Sequence, residues 1–82
     1  MTHYVIMYYR TQDSISGVVL ISATTTSRAI LNGAVICRQD NKLSSSVHLN
    51  SKVLFEGNDP DEATEFFNRL IEKMNEYQAS MN

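Results

Sequence analysis

Two histidines, one cysteine and nine carboxylates are the residues of this 82-residue chain best suited to chemistry. General acid–base work or metal ligation by His3 or His48 would need convergent partners. The chain holds no His-x-x-x-His, His-Glu or Cys-x-x-Cys spacing to supply them. His48 falls in an expected strand, where a half-exposed surface residue is the plainer reading. Cys37 would be a nucleophile only beside a group that stabilises its thiolate. Next to Ile36 on an expected strand, it reads instead as a small buried apolar side chain.

Six carboxylates, Asp59, Asp61, Glu62, Glu65, Glu72 and Glu76, fall in the last 24 residues. An acidic first helical turn and a solvated helix face account for them. Catalytic pairs need burial or crowding to shift their protonation, and a solvated face offers neither. Glu56 and Asp59 flank Gly57 but provide too few oxygens for a calcium loop. Gly17, Gly33 and Gly57 match no phosphate-binding pattern. No residue is assigned a catalytic, cofactor-binding or metal-binding role, so the expectation is a non-enzyme without a cofactor.

Composition narrows the class further. With 43% hydrophobic and 20% charged residues, the chain suits one globular domain over residues 1–82. No apolar run approaches the roughly 18 residues a membrane helix needs, and Met1-Thr2-His3-Tyr4 does not open like a secretory signal. A lone cysteine can form neither an intrachain disulfide nor a multi-thiolate zinc site, so a reducing, cytoplasmic setting is expected.

The elements that would position these residues follow from periodicity. Asp59-Pro60-Asp61-Glu62 is a helix start: a cap before proline, proline at the first helical position, and an acidic first turn. Ala63, Phe66, Phe67, Leu70, Ile71, Met74 and Tyr77 then make one apolar stripe, which predicts an amphipathic helix over 60–78. Phe66, Phe67, Leu70 and Ile71 are expected to anchor the core. Glu65 and Arg69 form a favourable pair one turn apart.

Upstream, β-branched and aromatic runs predict short strands at 3–10, 16–23, 27–31, 34–38, 46–49 and 52–56. Asn32-Gly33 reads as a hairpin turn, with a short helix from Ser27 capped by Gly33 as its rival. Asn50-Ser51 reads as a second turn. The expected fold is α+β: an antiparallel meander of five to six strands with the single helix across one face.

That fold leaves one sheet face without cover. Tyr4, Ile6 and Tyr8 alternate with Val5, Met7 and Tyr9, and Val18 and Leu20 alternate with Val19 and Ile21, so both faces are apolar. One helix covers one face, and the other is expected to meet a second copy or another protein. Tyr4, Ile6, Tyr8, Val18 and Leu20 are the expected partner-binding residues, on the sheet face or at the edge of the first strand.

The expected function is contact-based: a small accessory or regulatory protein of the bacterial or phage kind, acting as a homodimer. The alternative is a nucleic-acid module in which Tyr9 stacks on bases and Arg10, Arg28 and Arg38 meet phosphates. Residues 1–58 carry a net charge of +2 and residues 59–82 of −4. With a pI near 5.5, the whole lacks the basic footprint such binding normally has.

Overall fold

The computed structural model describes residues 1–11, 16–40 and 49–81. They form β1 (His3–Thr11), β2 (Ser16–Ala23), α1 (Thr26–Asp40), β3 (Leu49–Gly57) and α2 (Pro60–Met81). The architecture is α+β with an antiparallel sheet, as the sequence predicts, but with three described strands and two helices.

The first difference lies at 27–38, where a hairpin was expected and α1 forms. Thr25 caps it: its hydroxyl oxygen accepts from the Arg28 amide at 3.1 Å and its carbonyl from the Ala29 amide at 3.1 Å. Gly33 does not end this helix either; it lies inside, on the buried side. A mid-helix glycine costs about 1 kcal/mol against alanine. Here it permits close approach, because a Cβ at Gly33 would fall 2.5 Å from Met7 Sδ and 3.3 Å from Ile21 Cγ1. Tertiary contact overrides the local Asn-Gly turn signal.

The second difference lies at Asn50-Ser51, where the chain runs straight. Arg10 pairs with Asn50 and Tyr9 with Ser51 inside one continuous strand, β3. The expected strand at 46–49 falls mostly outside the described residues. One register shift opposite Ile6 and Met7 makes Leu54 an extra residue in β3, a β-bulge.

The sheet order is β2-β1-β3, with β1 antiparallel to both neighbours. A simple meander would have placed β2 in the middle. Instead β1 is central, so it has no open edge, and α1 carries the chain from one edge strand to the other.

The two helices lie on opposite faces. Val5, Met7 and Ala29 are buried together, with Val19, Ile21, Ala23, Ile30 and Val53 around them, and this is the α1 side. Strand alternation puts Ile6, fully buried, on the other face with its pair partners Leu20 and Phe55. Phe55 meets Phe66 of α2 with ring centroids 5.3 Å apart. The helices touch the sheet but not one another. A strand buried on both faces reads as a continuous apolar run, which is what Tyr4–Tyr9 is.

α2 begins as expected: Asp59 Oδ1 accepts from the amides of Asp61 at 2.9 Å and Glu62 at 3.4 Å. Its anchoring differs from expectation. Ala63 is fully buried and Phe67, Leu70 and Met74 half-buried, whereas Phe66 and Ile71 sit 37% and 36% exposed at the flanks of the stripe. The strand face admits the small Ala63 closest and leaves the larger flanking side chains partly in solvent.

Candidate functional site

The residues with chemical potential are spread out by this fold. His3, at the start of β1, is half-buried, and its Nδ1 lies 3.0 Å from Asn58 Nδ2 and 3.4 Å from Thr26 Oγ1. An amide nitrogen only donates, so in this contact Asn58 is the donor and His3 Nδ1 the acceptor. Asn58 Nδ2 also donates to the Thr2 carbonyl at 3.1 Å. This cluster fastens the first strand to the starts of both helices, which is a positioning role. Among the described residues no three His, Cys, Asp or Glu side chains gather as metal ligands would. His48 lies outside the described residues.

Cys37 is fully buried in α1. It lies four residues after Gly33 and eight after Ala29, so these three small residues share the helix side that meets the sheet. Asp61, Glu62, Glu65, Glu72 and Glu76 are exposed along α2, and Glu65 accepts from Arg69 in the expected pair.

The residues expected to bind a partner are brought together. Ile6 pairs with Leu20, Tyr8 with Val18, and Tyr4 with Ser22, which puts Tyr4, Ile6, Tyr8, Val18 and Leu20 on one face. That face carries α2, and the opposite face carries α1, so neither is left without a helix. Ile6 is fully buried; Tyr4, Tyr8, Val18 and Leu20 are half-buried.

The residues of the nucleic-acid alternative are not gathered. Tyr9 lies on the α1 face, its ring against Gly17, where a Cβ would fall 2.6 Å from the Tyr9 hydroxyl oxygen. Arg10 is exposed at the far end of β1. Arg28 and Arg38 belong to α1, not to the sheet.

Two features were missed by sequence reading. One is apolar exposure on the helices: Leu31 and Val35, one turn apart on α1, are 58% and 47% exposed. On α2, Phe66 and Leu70 line a shallow groove of about 170 Å³ with Arg69 and Lys73. Reading 27–38 with helical period would have shown Leu31 and Val35 opposite Ala29, Gly33 and Cys37. The other is the edge of β2. Ser16–Ala23 holds no charge and no proline, and β2 has a neighbour on one side only among the described residues. Val18, Val19, Leu20 and Ile21 stay half-buried although a helix lies over each face. No helix of the described residues is long and apolar enough to cross a membrane. Comparison with protein-family models, with curated proteins and with solved structures found no match.

Proposed function

We propose that this chain is a non-enzymatic protein that works by contact, self-associating in the cytoplasm as the basis of an accessory or regulatory role. The observation that carries the reading is the uncharged, half-buried run Val18-Val19-Leu20-Ile21 on a strand that, among the described residues, lies at the sheet edge. Edge strands of this kind are templates for pairing with another chain, and soluble proteins normally blunt them with charge, proline or a bulge. The exposed Leu31 and Val35 of α1 and Phe66, Ile71 and Tyr77 of α2 add apolar surface that an assembly would cover.

Sedimentation velocity of the purified chain over a wide concentration range tests this reading. Reversible growth from the 9.3 kDa of one chain toward twice that mass is the expected result. A single-chain mass throughout contradicts it. A mobility-shift titration with single- and double-stranded probes at low salt runs beside it. Strongly salt-dependent binding there would replace self-association with the nucleic-acid reading.

A further inference from the structure

We propose that two copies join through the outer edge of β2, each β2 pairing antiparallel with the other to make one continuous six-stranded sheet. This rests on the self-association reading above and names its interface.

The two edges of the sheet differ in kind. β3 carries Lys52 and Glu56, both exposed, and its register is broken by the bulge at Leu54. Charge and a bulge are the devices that keep an edge from pairing. β2 has neither: its register with β1 runs unbroken from His3 opposite Ala23 to Arg10 opposite Ser16. With α1 on one face and α2 on the other, the side of β2 left without a neighbour among the described residues is its outer edge. Alternate residues there turn N–H and C=O groups away from β1, ready for a ladder.

A strand edge of this kind suits its own copy. A two-fold axis normal to the sheet sets β2 antiparallel to β2, and every contact is then made twice. Residues opposite one another in an antiparallel ladder share a face. The axis must therefore pass through a residue position, with Val19 facing Val19 or Leu20 facing Leu20. The helices leave room for this. α1 rests equally on β1 and β2. α1 therefore covers the inner strand as well as β2 and does not sit over the outer edge alone. Both α1 helices share one side of the extended sheet and both α2 helices the other.

Two adjacent proline variants, Val19→Pro and Leu20→Pro, test the edge. Successive residues turn their N–H groups to opposite sides, so one proline breaks the ladder to β1 and the other removes only an outward donor, which edge strands tolerate. The expected result is one variant without folded circular dichroism and one that is folded but has lost the dimer at concentrations where the wild type holds it. If the variant that loses the outward donor folds and stays dimeric, the β2 interface is overturned and self-association is left standing on another surface. A wild-type chain that is monomeric throughout overturns both. Amide hydrogen exchange of the wild type decides the matter even if both prolines prevent folding. Outward β2 amides that are protected when concentrated and exchange freely on dilution support the interface. Outward amides that exchange freely within the dimer overturn it.

Discussion

Val5 and Ile6 are neighbours in β1, both fully excluded from solvent, and they are buried beneath different helices. Val5 sits in the cluster with Met7 and Ala29 under α1, and Ile6 lies on the face that carries α2. The small core is thus divided into two thin layers by its own central strand. Each layer depends on one helix.

Truncation at the two positions should be costly and independent. Ile6→Ala is expected to cost about 2–5 kcal/mol, and Val5→Ala somewhat less, out of a total stability of about 5–15 kcal/mol. Val5 and Ile6 are adjacent in one strand and share its backbone, so the double variant measures how far the two layers are coupled. A loss within about 0.5 kcal/mol of the sum is the result expected of two layers that each depend on their own helix. Urea denaturation of the three variants measures this. A double variant far from additive would mean that both side chains enter one core.

Gly33 offers a sharper test of the helical assignment. In α1, Gly33→Ala gains about 1 kcal/mol of helix propensity. The new methyl group falls 2.5 Å from the Sδ of Met7, which is itself fully buried, and 3.3 Å from Ile21 Cγ1. The strain should therefore outweigh the propensity gain and leave a net loss of about 1 kcal/mol. Gly33→Leu must displace both Met7 and Ile21 and should cost about 3 kcal/mol. In an Asn-Gly hairpin the alanine itself would be strained, and a loss well above 1 kcal/mol for Gly33→Ala would point back to that turn.

Phe55 and Phe66 tie β3 to α2. Rings at this separation contribute about 0.5–1.5 kcal/mol beyond their buried area. A double-mutant cycle with Phe55→Leu and Phe66→Leu should return a coupling in that range. A coupling indistinguishable from zero would place α2 differently on the sheet.

Cys37 should be inert in the native state. Its burial blocks reagent access, so labelling at neutral pH should follow global or local opening and speed up steeply with denaturant. Cys37→Ala should fold, with a cost of about 1–2 kcal/mol for the lost buried sulfur. Rapid labelling of the native chain would reverse this and restore a reactive role.

The parts legible in the sequence were those fixed locally. Asp59-Pro60 announces the start of α2, and Tyr4–Tyr9 and Val18–Ile21 are too rich in β-branched and aromatic residues to be much else. The region 27–38 misled for a physical reason: Asn32-Gly33 carries a strong turn preference, and only contact with Met7 and Ile21 makes glycine useful inside a helix there. Asn50-Ser51 misled similarly, since pairing with Arg10 and Tyr9 holds a polar dipeptide straight. Once α1 appears, the uncovered sheet face that motivated a dimer disappears. The candidate interface moves from a face to an edge, a distinction that needs the strand order. Alternation alone separates Tyr4, Ile6 and Tyr8 from Val5, Met7 and Tyr9, and Val18 and Leu20 from Val19 and Ile21. That the two sets share a face follows only from the register, with Ile6 opposite Leu20 and Tyr8 opposite Val18.

The most direct measurement is an isotope-filtered nuclear Overhauser experiment on a mixture of labelled and unlabelled chains at a concentration where dimer dominates. Pairing through β2 predicts interchain contacts between backbone protons of residues 18–21 in the two copies, symmetric about Val19 or Leu20. Interchain contacts confined to the helices or to β3, or none at all, would contradict the account.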